Sequence, residues 1–194
     1  RRGSANSSIT RGVTCGGYTS SSATNVMDYI TIATTGNATD FGDLSSSNQQ
    51  SSGGSSSTRG LTMGGHNGSY INTIEYVTIA SAGNTTDFGD GTATNAAGST
   101  CTSTTRACHQ LGYASGAVNS IDYVTIATTG NASDFGDCTI SQYWRGASSS
   151  NTRGLFGGGT GYSNVIEYIT IASTGNTTDF GDLTQARRGS SGMS

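Results

Sequence analysis

Carboxylates are the densest source of chemistry in this 194-residue chain, and all twelve fall into four sets of three. The sets are Asp28, Asp40 and Asp43; Glu75, Asp87 and Asp90; Asp122, Asp134 and Asp137; Glu167, Asp179 and Asp182. In each set the last two stand in the phrase Asp-Phe-Gly-Asp, a pairing that could ligate Ca²⁺ or serve as an acid and a base. The sequence argues against both. Ca²⁺ takes about six to eight oxygens, and the spacing lacks the ligand density of an EF-hand. A catalytic pair needs two distinct environments, whereas the four copies read alike. The expected role is turn capping, with Asp accepting backbone N–H bonds. The letters DFG also occur in protein kinases, but no Lys exists in this chain to pair with phosphates. No catalytic residue and no cofactor are expected.

Other reactive side chains are scattered. Cys15, Cys101, Cys108 and Cys138 show no C-x-x-C spacing, and His66 and His109 have no regular offset from them, so no metal site is expected. The cysteines read as small buried fillers, with Cys101–Cys108 a candidate disulfide. Tyr143 and Trp144 lie in QYWRG, where the other units have small residues; the pair reads as a sugar or partner contact or as a local core plug. Asn37, Asn84, Asn131 and Asn176 sit in Asn-x-Ser/Thr sequons, as do Asn6 and Asn67. The repeated ones read first as hairpin chemistry.

The carboxylate sets are held in one recurring phrase: MDYITIATTGNATDFGD, IEYVTIASAGNTTDFGD, IDYVTIATTGNASDFGD and IEYITIASTGNTTDFGD, spaced 47, 47 and 45 residues apart. A period of this length signals a propeller, solenoid or array built from one reused supersecondary unit. Within a unit, residues 27–33 alternate so that Asp28, Ile30 and Ile32 face one way and Met27, Tyr29 and Thr31 the other. Both faces carry bulk, which suits a small sheet stacked between copies of itself. Thr-Gly-Asn then predicts a tight turn into a short strand carrying Phe41, Phe88, Phe135 or Phe180, the expected core plugs.

A second phrase precedes each hairpin: TRGVTCGG at 10–17, TRGLTMGG at 58–65, TRACHQLG at 105–112 and TRGLFGGG at 152–159. Arg11, Arg59, Arg106 and Arg153 thus precede Asp28, Glu75, Asp122 and Glu167 by 17, 16, 16 and 14 residues. A carboxylate on an apolar strand needs a charged partner, so four arginine–carboxylate pairs are predicted.

Composition agrees with small polar strands. Only 32% of residues are hydrophobic, 30 are Gly and none is Pro, and tracts such as SSSNQQSSGGSSS at 45–57 fall between β-branched runs. A net charge of −3 with nine scattered Arg excludes the concentrated basic face of a nucleic-acid binder. No window reaches the length of an apolar membrane span. The chain opens at Arg1 without a basic, apolar leader, which is expected of a fragment or a processed product.

The order of a short strand ending in a Gly pair, a variable polar loop, a Tyr-bearing strand and an aromatic strand resembles the kelch-type β-propeller blade. Phe stands where that family usually has Trp. The repeat text, TIASTGN and DFGDLT following TRG and GGG, also resembles repeats of fibre-like proteins of marine bacterial viruses. The resemblance covers essentially the whole chain. It implies an all-β repeat protein of about four four-stranded units, at 1–47, 48–94, 95–141 and 142–186. Residues 187–194 start a further unit, because RRGSSGMS repeats RRGSANSS at 1–8. A closed ring, an open stack continued by neighbouring chains, and a terminal copy outside the ring all remain open.

The function implied is structural or adhesive, in an extracellular or virion-surface fibre. Copies of the chain or other fibre components are expected partners, and a cell-surface glycan is a candidate ligand. Variable loops would present Tyr18, His66, Tyr113 and Tyr162, joined by Tyr143 and Trp144. The alternative is a secreted propeller enzyme of the oxidase or lyase kind. It would gather unique residues at one rim, yet Cys15, His66, Cys101, His109 and Trp144 do not cluster in sequence. A kelch-type adaptor is disfavoured by the low charge.

Overall fold

The structure, a computed structural model, describes residues 3–190. Arg1, Arg2 and residues 191–194 lie outside it, so the predicted terminal repetition can be followed only through Ser190. Among the described residues there are sixteen strands and no helix. They form four antiparallel four-stranded sheets in simple meander order. Sheet one comprises β1 (Ser4–Ser7), β2 (Arg11–Tyr18), β3 (Ala23–Thr31) and β4 (Thr39–Asn48). Sheet two has β5 (Ser52–Ser55), β6 (Arg59–His66), β7 (Tyr70–Thr78) and β8 (Thr86–Asn95). Sheet three has β9 (Ser99–Thr102), β10 (Arg106–Gln110), β11 (Ser120–Thr125) and β12 (Ser133–Asp137). Sheet four has β13 (Gly146–Ser149), β14 (Arg153–Gly157), β15 (Val165–Thr170) and β16 (Thr178–Asp182). Each sheet coincides with one repeat phrase, which makes it a blade-like unit.

Period-two alternation explains the stacking. In sheet two, Ile74 and Phe88 face sheet three, while Val77 and Ile79 on the other face meet Val13, Met27 and Phe41 of sheet one. A third core joins Ile121 and Phe135 to Phe156, Ile169 and Ile171 of sheet four. Burying such a side chain is worth roughly 1.5–3 kcal/mol, and every internal face repeats the gain. Phe41, Phe88 and Phe135 are each 2% exposed, in keeping with the expected plugs, but Phe180 is 49% exposed. Its sheet has no further unit on that side among the described residues. At the opposite end Ile30 and Ile32 are likewise 47% and 54% exposed.

The Ser/Gly-rich tracts are not linkers. They form the short strands β1, β5, β9 and β13, which lie side by side where the four units converge. Small residues allow that convergence: a Cβ on Gly53 would sit 2.2 Å from the Ala5 carbonyl oxygen. Hydroxyls stitch the seam, with Ser52 Oγ and Thr100 Oγ1 at 2.6 Å and the Thr102 N–H donating to Ser149 Oγ at 3.1 Å.

Candidate functional site

Each unit's second strand ends in, or is followed within two residues by, glycine with positive φ. Gly64 (φ 59°) and Gly65 (φ 121°) turn β6 out of the sheet, and a Cβ on Gly65 would lie 2.1 Å from Asn48 Oδ1. That Asn is a clamp. Its Nδ2 donates to the Gly64 carbonyl at 2.9 Å and its Oδ1 accepts the His66 N–H at 2.9 Å. The residue after the glycines, Tyr18, His66, Tyr113 or Thr160, is thereby aimed at one rim of the molecule.

A second set of rim residues comes from the links between units. Gln50, Ala97 and Trp144 occupy equivalent positions 47 residues apart, and all three are left-handed, with φ of 60°, 57° and 57°. Their backbones form a ladder: the Ala97 N–H donates to the Gln50 carbonyl, Trp144 to Ala97, and Gly189 to Trp144, at 2.8, 2.9 and 2.8 Å. At the position where the other links carry Gln and Ala, Trp144 brings an indole to the rim. A cleft of about 370 Å³ opens beside it, lined by Gln50, Ala97, Trp144 and Arg188 among others.

These two sets meet in a continuous aromatic chain. His66 packs edge-on against Tyr70 (ring centroids 5.2 Å), Tyr70 against Tyr113 (5.4 Å), Tyr113 against Tyr143 (5.1 Å) and Tyr143 against Trp144 (5.0 Å). The Arg188 guanidinium then stacks on Trp144 at 5.2 Å and on Tyr162 at 5.1 Å. Five side chains singled out from sequence, His66, Tyr113, Tyr143, Trp144 and Tyr162, are brought together across units two to four. Tyr18 is not among them: it stands exposed on unit one, its hydroxyl donating to the Ser21 carbonyl at 3.2 Å. Sequence reasoning missed Tyr70 and Arg188. Tyr70 was legible as the residue four past His66 across a short polar loop; Arg188, in a terminal repeat, carried no signal.

The charged residues correct the sequence-based pairing. Arg11, Arg59, Arg106 and Arg153 lie over Tyr29, Tyr76, Tyr123 and Tyr168 at 4.3, 4.3, 4.3 and 4.4 Å. The first three each donate through Nη1 to a carbonyl of the following unit, Ile79, Ile126 or Ile171, at 2.9 Å. The predicted partners Asp28, Glu75, Asp122 and Glu167 sit on the opposite face of the strand from those tyrosines, which period-two geometry imposes. Three of the four instead receive backbone N–H groups of the preceding unit: Ser45 to Glu75 at 3.1 Å, Thr92 to Asp122 at 2.7 Å and Thr139 to Glu167 at 2.7 Å. Among the described residues the ion pair is Arg145–Glu167, and both side chains are fully buried.

In place of the expected turn caps, the Asp-Phe-Gly-Asp segments make bonds between units. The amides of Asp43, Asp90 and Asp137 donate to Asn84, Asn131 and Asn176 Oδ1 of the next unit, each at 3.0 Å. The sequon asparagines are therefore contacts between units as well as hairpin residues. Cys101 and Cys108 lie opposite each other across β9 and β10, yet all four cysteines are free and buried. The Cys108 thiol beside it and burial together push the Cys101 thiol well up, and burial pushes Cys138 up to about 12. These thiols are poor nucleophiles. Among the described residues, no three His, Cys, Asp or Glu side chains are grouped to hold a metal ion. Compared with known proteins, the chain matches no family model and no curated sequence.

Proposed function

We propose that the chain is a non-enzymatic structural and adhesive module of a kelch-like repeat fibre, displayed outside the cell or on a virion, whose aromatic rim binds a surface glycan. The observation that carries this reading is the unbroken run His66–Tyr70–Tyr113–Tyr143–Trp144, continued by Arg188 and Tyr162. The four scaffold phrases are nearly identical, so the divergent rim is where unit differs from unit. Binding residues concentrate on such loops when a rigid scaffold positions them. Aromatic rings offer large apolar faces to a sugar ring, and an adjacent guanidinium supplies donors to hydroxyl or carboxylate groups. The cleft beside Trp144 is of the size that small ligands occupy.

The test is binding of the chain to immobilised neutral and acidic glycans. Trp144→Ala, Tyr113→Ala and Tyr162→Ala should each reduce binding by tenfold or more, on the order of the loss of one stacked aromatic contact. The folded state should persist, because these side chains are outside the three cores. Retention of full binding by all three variants refutes the adhesive reading.

A further inference from the structure

The units meet through one interface used three times. Between units one and two, the Gly83 N–H donates to the Phe41 carbonyl (2.6 Å) and the Thr85 N–H to the Asp43 carbonyl (2.9 Å). The Asp43 N–H donates to Asn84 Oδ1 (3.0 Å), the Ser45 N–H to the Glu75 carboxylate (3.1 Å), and Arg11 to the Ile79 carbonyl (2.9 Å). The same five bonds recur between units two and three, from Gly130, Ala132, Asp90, Thr92 and Arg59. They recur again between units three and four, from Gly175, Thr177, Asp137, Thr139 and Arg106.

Among the described residues, each half of this interface is left over once. Sheet four presents one half: Arg153, the Asp182 N–H and the Thr184 N–H as donors, with the Phe180 and Asp182 carbonyls as acceptors. Sheet one presents the complement: the Ile32 carbonyl, Asn37 Oδ1 and the Asp28 carboxylate as acceptors, with the Gly36 and Ala38 N–H groups as donors. All five pairs have matching chemistry. The apolar parts match too, with Leu155, Tyr168 and half-exposed Phe180 on one side and exposed Ile30 and Ile32 on the other. At the fourth strand there is room for a neighbour, whereas at the seam beside β13 Gly189 and Ser190 stand where the incoming first strand would go and must move aside. A Cβ on Gly42, Gly89 or Gly136 would collide with the next unit's glycine backbone at 2.5 Å, whereas one on Gly181 meets nothing within 4 Å.

We infer that a second copy of this chain docks head to tail, sheet four of one copy against sheet one of the next, continuing the internal interface across the molecular boundary. One chain carries both complementary halves, so the contact is heterologous and propagates until a ring closes or a filament grows. Unlike an edge-to-edge strand addition, it joins faces, so it buries Phe180 as Phe41 is buried inside the chain. The inference rests on the structural part of the proposed function and does not involve the aromatic rim.

Sedimentation of the chain over a wide concentration range tests it, using Ile30→Arg to block the head and Phe180→Arg to block the tail. Both residues are solvent-accessible, and circular dichroism checks that each variant folds; Asn37→Ala and Arg153→Ala are milder substitutes on the same faces. Wild type should associate with increasing concentration, either to one fixed size or without limit. Each blocked variant alone should lose association by about 100-fold or more, the factor implied by burying an unpaired charge. Mixing the two variants should restore a one-to-one dimer and nothing larger, since only one live head and one live tail remain. A wild type that stays monomeric, a blocked variant that still assembles, or a mixture that fails to dimerise overturns the inference. Glycan binding by monomeric chain is scored separately, so failure of assembly and failure of the rim are distinguishable.

Discussion

Arg145 and Glu167 form an ion pair sealed from solvent on both sides, one partner in the link before sheet four and the other in the middle of β15. Arg145 also donates Nη2 to the Phe156 carbonyl at 3.0 Å, and Glu167 also accepts from Thr139 and Thr177. Burial alone would raise the Glu167 carboxyl, but the bonds from Thr139, Arg145 and Thr177 outweigh it and hold it below the usual range. Such a pair is costly to break even where its net worth is small. Arg145→Met should therefore destabilise the fold by about 3–5 kcal/mol in denaturant unfolding. Arg145→Met combined with Glu167→Gln should recover more than half of that loss. A single variant as stable as wild type would show that the carboxylate finds water, contrary to the geometry.

Glycine at the bulge of each fourth strand separates internal faces from the end face. Gly89 (φ 141°) and Gly181 (φ 134°) share the backbone conformation that disfavours a side chain. Ala at either site pays for that strain, on the order of 1–3 kcal/mol. At Gly89 the added Cβ also lies 2.5 Å from the Gly130 carbonyl oxygen, which only backbone movement can relieve. Gly89→Ala should thus lower the melting temperature clearly more than Gly181→Ala in dilute monomer. Equal losses would show that strain alone matters and that the unit interface yields.

The repeat made the architecture legible, because sheet count, strand order and the two-faced third strand all follow from phrases copied four times with period-two alternation. Phe41, Phe88 and Phe135 could be read as core for the same reason. Phe180 could not, because its letters are identical and only its place at the end of the stack differs. The arginine partners were misread because spacing along the chain cannot reveal that Arg11 reaches Ile79, 68 residues away, in place of Asp28. Similarly, Arg145 lies outside the repeat phrase, so nothing in the periodicity tied it to Glu167. The rim was partly legible: departures from the repeat marked Trp144 and His66, but the contact between Tyr70 and Tyr113 exists only once two units stand side by side.

His109 gives the fold a pH-dependent stability. It is buried on β10, with Nε2 2.9 Å from Asn95 Oδ1 and Nδ1 3.0 Å from Thr100 Oγ1. The Asn oxygen can only accept, so Nε2 carries the proton and Nδ1 accepts from Thr100. Burial lowers the pKa from 6.5 to about 4. The unfolded chain therefore takes up a proton as pH falls through 6.5 while the folded chain does not. This stability is complete above pH 6.5 and is lost progressively down to about pH 4. The loss over the whole window is roughly 3 kcal/mol. Asp122, raised by burial, acts in the opposite direction, so the difference between wild type and His109→Gln is the informative measurement. That difference should shrink steadily between pH 6.5 and 4; a constant offset would mean that His109 takes up its proton at the same pH in the folded and the unfolded chain.

The recurring arginines act as latches between units, stacked on one unit's Tyr and bonded to the next unit's carbonyl. Arg59 lies 4.3 Å from the Tyr76 ring centroid and 2.9 Å from the Ile126 carbonyl oxygen, and it is half-buried. Arg153 keeps the ring contact at 4.4 Å but is exposed and has no such carbonyl among the described residues. Planarity matters here, because a guanidinium stacks and donates along its edge at once, whereas an ammonium is a point charge. Arg59→Lys should cost about 1–2 kcal/mol, from a charge-assisted bond and part of the cation–π contact. Arg153→Lys in dilute monomer should cost less than about 0.5 kcal/mol, as surface substitutions do. Urea midpoints of the two variants at matched slope provide the comparison. If Arg153→Lys proves as damaging as Arg59→Lys, the ring contact alone carries the effect and the carbonyl of the following unit contributes nothing.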